Sequence, residues 1–356
     1  MINTLTSLRF FAALAVFLSH LFILQNFEET KWIFDRIFFE GYLGVTFFFI
    51  LSGFILTYNY HNKFQKYTKG NLKNFMVARF ARIYPVYILT FLISLIPFFV
   101  DDMEINYLNQ ILTGIANLGM IQSFVPIPSV YFSFNAPSWS ISDEMFFYLI
   151  FPFVILTLIK FKKNKFLTFF IPFTFLIYIS ACLVVWYMRD SQLAHWLFYI
   201  FPPFRFIDFF IGIIIGLVFV KMKEVKISNR IFSIFEIVSI LLLIIAIYFF
   251  PTIHQTLRLW GYYLLPLVFI IWVFAFQKGV ISQFLSHKVF VYLGEISFSF
   301  YMIHKIVMGY MEITPFVKDN PYIFVLTTFL ITLILSHIIY KYYEIPLKNK
   351  IRHKLS

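Results

Sequence analysis

Cysteine is almost missing from this chain: Cys182 is the only one among 356 residues. An intramolecular disulfide is therefore excluded, and so is a metal centre built on paired thiolates. Charged residues are also few, at 13%, and acids are outnumbered by bases, 17 to 29. Glycine-rich phosphate loops and metal-ligand Cys/His spacings do not occur. No stretch resembles a soluble domain and no internal repeat is found, which argues against soluble nucleotide-dependent folds and solenoids alike.

What the chain has in abundance is apolar surface. Hydrophobic residues make up 61% of it and aromatics 22%, with a mean hydropathy of +0.83. That composition belongs to a polytopic membrane protein, and the expected fold is an all-α bundle of about ten transmembrane helices, each near the ~20 residues that cross a bilayer. The expected spans lie near 8–26, 41–60, 80–100, 143–160, 166–187, 204–220, 231–250, 260–276, 291–311 and 322–343. The first is read as retained, because no small-residue cleavage site follows it.

Charge then sets an orientation. With the N-terminus in the cytosol, the loops 61–82, 160–165, 221–230 and 277–288, the tail 341–356 and Arg9 hold 22 of the 29 Lys and Arg. The outer loops hold five: Lys31, Arg36, Arg189, Arg258 and Lys318. Both termini are thus expected to be cytosolic. The net charge of +12 is read as topogenic cations facing anionic membrane lipid, not as a nucleic-acid surface. The long outer segment 101–142 begins acidic (Asp101, Asp102, Glu104), with an amphipathic interfacial helix expected over Tyr107 to Ile121. QSFVPIPSVYFSFNAPSWS after it is either a lid or sugar platform or a connector packed on the bundle.

Within the spans a few polar residues stand out, because an ionisable group in a bilayer is expensive unless it lines a cavity or finds a partner. Arg9 and His20 lie eleven positions apart, about three helical turns, so they share one face at a separation of ~16 Å. Asp143 and Glu144 stand at the outer end of the fourth span; Asp143 suits a helix-start cap, whereas Glu144 could orient an imidazole at the depth of His20. Ser297, Tyr301 and His304 repeat on one face of the ninth span, where they could bind a polyhydroxylated substrate or simply hydrogen-bond between helices. Arg79 and Arg82 flank the inner mouth beside Arg9, either as a phosphate clamp or as ordinary flanking charge. Arg205 and Asp208 read as a structural ion pair, Glu344 as a partner for the inner cations, and Lys305 as snorkelling or paired with an acid. Gly41, Gly44, Ser52 and Gly53 are read as close-packing positions, and Cys182 as packing.

Taken in order, RFFAALAVFLSH, GVTFFFILSGF, ARFARIYPVY, WSISDEMFFYLIFP, YLGEISFSFYMIH and YYEIPLK resemble the acyltransferase 3 family of integral-membrane enzymes, from Arg9 to Pro346. The arginine-ten residues-histidine spacing is the most diagnostic of these pieces. The resemblance implies His20 as the catalytic histidine with Arg9 as its motif companion, Arg79 and Arg82 as the arginine pair of the third span, and Glu144 as the glutamate after WS. Asp143 and Met145 depart from the family's usual residues. It also implies a single integral-membrane acyltransferase domain over 1–356; without the extracytoplasmic hydrolase-like domain many members carry, transfer would finish within the membrane domain or pass through a separate envelope protein.

The expected function is transfer of an acyl group, chiefly acetyl, from cytosolic acyl-CoA to a hydroxyl of a cell-surface or lipid-linked saccharide, in the bacterial cytoplasmic membrane. Acetyl-CoA is then a donor substrate, with no permanently bound cofactor and no metal. Catalysis is assigned to His20 and Glu144, and substrate or acyl-CoA binding to Arg9, Arg79, Arg82, Ser297, Tyr301 and His304. A polytopic transporter of an anionic or proton-coupled substrate is the rival reading, which the intramembrane charges suit equally well on physical grounds.

Overall fold

The computed structural model describes residues 2–65, 68–96, 107–160, 163–224, 227–315 and 319–355. Asp101, Asp102, Glu104 and Lys318 lie outside the described residues. Every regular element among those described is helical. In chain order the principal helices are α1 (Asn3–Ser19), α2 (Leu43–Tyr60), α3 (Lys69–Ser94), α4 (Tyr107–Leu118), α5 (Trp139–Lys160) and α6 (Lys163–Tyr187). They are followed by α7 (Pro202–Met222), α8 (Asn229–Phe249), α9 (Leu264–Ala275), α10 (Lys288–Glu312), α11 (Pro321–Ile339) and α12 (Ile345–Leu355).

Nine helical stretches among the described residues are long and apolar enough to cross a membrane. They correspond to nine of the ten expected spans. The remaining one, 291–311, lies within α10, whose 25 residues include Glu295, Ser297, Ser299, His304 and Lys305. Those polar groups lower its hydropathy, yet Ser297, Ser299 and His304 are fully buried in protein. Helices need no edge partner in hydrocarbon because each satisfies its own backbone, which is why this composition folds as a helix bundle.

The chain forms two compact units. The first comprises Met1–Ala12, Tyr42–Asn71 and Leu149–Glu295; the second comprises Ala13–Gly41, Leu72–Tyr148 and Ile296–Ser356. In the first unit α2 and α7 meet backbone to backbone. A Cβ on Gly53 would fall 2.0 Å from the Phe209 carbonyl oxygen, and one on Gly212 would fall 2.1 Å from that of Ile50. Only glycine permits that approach, so the packing reading of Gly53 holds. Cys182 lies against Gly261.

The first unit also buries a carboxylate that hydropathy does not announce. Glu236 on α8 accepts hydrogen bonds from the backbone N–H groups of Gly279 (3.1 Å), Ile281 (2.9 Å) and Ser282 (3.2 Å), and from the Ser282 hydroxyl. It caps the short helix Val280–Leu285, whose first N–H groups have no intrahelical partner. By contrast, only 17% of the apolar window of α8 is buried, and α6 is the same. Their Ile, Leu and Phe side chains point outward, as lipid-facing helices require.

The second unit packs around Phe17, Phe300 and Phe329, whose ring centroids lie 5.6–6.1 Å apart. Within it α4 is amphipathic, as expected, with Leu108, Ile111, Leu112 and Ile115 outward. Its C-terminal end is tied down where Tyr87 of α3 donates to the Asn117 carbonyl at 2.8 Å. The segment after α4 is tied down at its two ends: Gln122 donates to Tyr87 Oη and to the Ser138 carbonyl, and the Ser123 and Ser142 hydroxyls meet at 2.7 Å, while 126–129 are exposed.

Candidate active site

His20 stands immediately after α1, at the turn that ends the helix, and His304 lies four turns into α10. The two imidazoles meet: His304 Nε2 is 3.2 Å from His20 Nδ1, with ring centroids 5.1 Å apart. His304 is fully buried, while His20 is half-buried. Phe17 and Tyr301 wall the pair.

Backbone carbonyls decide which nitrogen carries which proton. His304 Nδ1 lies 2.5 Å from the Tyr301 oxygen, and His20 Nδ1 lies 2.9 Å from the Val16 oxygen. A carbonyl oxygen only accepts, so both Nδ1 atoms are assigned as N–H donors. With His304 neutral, its Nε2 is an acceptor and receives the shared His20 Nδ1–H. The basic lone pair of His20 is then left on Nε2, which has no hydrogen-bond partner among the described residues. An oriented imidazole with one basic nitrogen left unpartnered is the arrangement that general-base chemistry requires.

Glu144 is half-buried one helical turn before Tyr148, whose hydroxyl donates to it at 3.0 Å. The Arg79 guanidinium lies over the Tyr148 ring, 5.9 Å from its centroid. Tyr148 thus links two residues expected at the site, a role that the (i, i+4) spacing from Glu144 on one helix face would have revealed. Asp143 is fully buried, and Arg82 is half-buried on α3.

The other residues of α10 divide in their roles. Tyr301 shares a 2.8 Å hydrogen bond with Ser140 and donates to the Pro137 carbonyl at 3.2 Å, so its hydroxyl ties α10 to the start of α5. Asn135 donates to the Met302 carbonyl at 2.8 Å in the same region. Ser297 is fully buried. Ser299 donates to Glu344 at 2.8 Å, inside the π-helical turn Tyr340–Glu344 that follows α11. Lys305 pairs with Glu312 at 3.9 Å.

Arg9 belongs to the first unit and is half-buried on α1. That unit has its own polar centre, where Arg205 and Asp208 form the expected ion pair at 3.1 Å, both fully buried. Among the described residues, no group of three or more His, Cys, Asp and Glu is placed to hold a metal ion.

Comparison with known proteins bears on the whole chain. The family model described as an acyltransferase domain matches residues 2–341. The acyltransferase MdmB of Streptomyces mycarofaciens is 29% identical over 324 residues, covering 86% of this chain and 79% of that protein. The O-acetyltransferase OatA of Staphylococcus aureus is 24% identical over 97% of this chain, which spans only 57% of the staphylococcal protein. The peptidoglycan O-acetyltransferase OatA of Listeria monocytogenes is 30% identical over 172 residues, 46% of this chain and 25% of its own length. No solved structure matches.

Proposed function

Because the chain belongs to the acyltransferase 3 family, and is thus a multi-pass membrane O-acyltransferase, we propose that it moves an acetyl group from cytosolic acetyl-CoA to a hydroxyl of an envelope saccharide. The observation that carries this reading is the His20–His304 pair, with its basic nitrogen left on His20 Nε2.

In the proposed reaction His20 Nε2 takes the proton of the acceptor hydroxyl as its oxygen attacks the thioester carbonyl. The C–S bond breaks, the ester forms, and the proton passes from His20 to the departing CoA thiolate, so the enzyme returns to its starting state. His304 holds the tautomer and the ring orientation throughout. The developing imidazolium is favoured by the Val16 carbonyl and by the lone pair of His304 Nε2, both acceptors for the Nδ1 proton. Glu144, buttressed by Tyr148, is proposed as a second catalytic group acting on the acceptor. Arg79 and Arg82 are proposed to take CoA phosphates, and for Arg9 an acyl-CoA contact is proposed from its motif alone. Ser297 is proposed to face substrate.

A cytosolic donor requires the basic loops to face the cytosol, and the bacterial cytoplasmic membrane is the proposed location. The relatives' printed names support the acceptor class, since one is a peptidoglycan O-acetyltransferase. The decisive experiment is His20→Ala, assayed in membranes at matched protein level by mass spectrometry of O-acetylated glycan. Loss of ~10²–10⁴ in rate is expected for removal of a general base. Wild-type turnover in that variant would overturn the assignment.

A further inference from the structure

The chain between α1 and α2 is built rather than loose. It forms a 3₁₀ turn over Phe22–Asn26, a short helix over Glu28–Ile33 and a π-helical turn over Phe34–Phe38. Thr30 is buried, and its hydroxyl donates to the Leu24 carbonyl at 2.9 Å, which ties the short helix to the 3₁₀ turn. Where the segment returns, a Cβ on Gly41 would collide with the Ala15 carbonyl oxygen. Its end therefore packs on α1 between one and two turns before His20. All of these residues belong to the second unit.

Phe22 stands out on this scaffold by its place. It is 47% exposed, with the buried Phe34 packed against it at a centroid distance of 5.4 Å. Its ring stands edge-on to that of His20, at 6.4 Å and 78°. Trp32 and Ile37 are exposed as well, but of the three only Phe22 meets the His20 ring among the described residues. The same segment exposes Asn26, Glu28, Glu29 and Lys31, which hydrocarbon does not accept. In a 3₁₀ turn, side chains three apart eclipse, so Gln25 stands on the same edge as Phe22, ~6 Å along the axis. Gln25 Nε2 donates to Asp35 Oδ1 at 2.7 Å. That bond fixes the amide and leaves Gln25 Oε1 and Asp35 Oδ2 as acceptors that receive no hydrogen bond among the described residues.

An accessible aromatic face with two oriented acceptors beside it suits a saccharide. The C–H face of a pyranose packs on an aromatic ring, while its hydroxyls, or an acetamido N–H, donate to amide and carboxylate oxygens. A lipid tail would leave those acceptors unused, and an anionic group placed there would meet Asp35 as a like charge. We propose that Phe22, Gln25 and Asp35 form the acceptor subsite, holding a sugar ring so that one of its hydroxyls reaches the His20 imidazole. The ties through Thr30, Phe34 and Gly41 hold the subsite in place before the sugar arrives, which lowers the ordering cost of binding. This inference rests on the transfer reading above and adds to it the residues that select the acceptor.

The test measures O-acetylation of envelope glycan by mass spectrometry, in membranes at matched protein level and across acetyl-CoA concentrations. Phe22→Ala is expected to lower the rate ~10- to 100-fold, as a misplaced acceptor does, at an unchanged half-saturating acetyl-CoA concentration. Phe22→Trp, which keeps an aromatic face, should stay within about threefold of wild type, and Phe22→Leu, which keeps only apolar bulk, should resemble Phe22→Ala. Wild-type rates in Phe22→Ala or in Phe22→Leu overturn the proposal, the latter because lipid or packing asks for bulk alone. Should the Phe22 variants fail to fold, Gln25→Ala and Asp35→Ala decide. Losses of about 3- to 10-fold support the subsite, and wild-type rates in both overturn it. If wild type acetylates no glycan, the transfer reading fails instead, and saturation-transfer NMR of the full chain in detergent with chitotriose judges the subsite by itself. Sugar signals in wild type that Phe22→Ala abolishes sustain it; their absence from wild type, or their persistence in the variant, removes it.

Discussion

The first unit buries a full positive charge, Arg205, and sets Asp208 beside it; the second pairs a buried imidazole with a half-buried one and gives each Nδ1 a backbone carbonyl oxygen. The two solutions answer different demands. A permanent cation in hydrocarbon must be neutralised, or the unit that holds it does not fold. A general base must keep one lone pair free, and acceptors confined to the other ring nitrogen leave it so. Neutral carbonyls orient the ring while leaving its charge uncommitted.

Changes that remove one partner from each arrangement separate these demands. Arg205→Met leaves Asp208 buried without its counter-charge and is expected to destabilise the protein by ~3–5 kcal/mol. Adding Asp208→Leu to it should restore most of that loss, as measured by denaturant unfolding. If the double variant is no more stable than the single one, the pair is not the electrostatic unit described here.

His304→Ala should leave folding intact and lower turnover by about 10- to 100-fold, because His20 loses the group that selects its tautomer. His304→Gln, whose amide oxygen can stand where Nε2 stood, is expected to recover part of that rate. The two variants should also differ in the pH dependence of turnover, which a merely space-filling role of His304 would leave unchanged.

Gly53→Ala tests the first unit through packing alone. Its new methyl meets the Phe209 carbonyl at 2.0 Å, so α2 and α7 must separate, at a cost of ~1–3 kcal/mol seen as a lower melting temperature. Tyr148→Phe is the mildest change in the second unit. It removes one hydrogen bond from Glu144 while keeping the ring under Arg79, and a decrease in turnover of ~3- to 10-fold is expected. Unaltered turnover there would separate Glu144 from the chemistry.

Much of this was legible beforehand, and the exceptions share a cause. The spans were readable because hydropathy is a property of ~20 consecutive residues. His20 and His304 could each be singled out from their own helices, as polar groups in apolar company. Their contact could not, since 284 positions separate them and nothing local reports on a partner so distant. Ser297, Tyr301 and His304 share a helix face, but Tyr301 turned to Ser140 and Pro137 while His304 turned to His20. Spacing sets a side chain's direction and leaves open what waits there.

The amino-acid order alone determined that this is a membrane helix bundle, which windows are apolar and long enough to cross a bilayer, and which ionisable residues interrupt them. Tertiary structure alone decided that His20 Nδ1 faces the Val16 carbonyl and His304, that Glu144 answers to Tyr148, and that Arg205 sits among aromatic rings beside Asp208. The reason is range: burial preference adds up along the chain, whereas a hydrogen bond exists only where two distant segments bring donor and acceptor within ~3 Å.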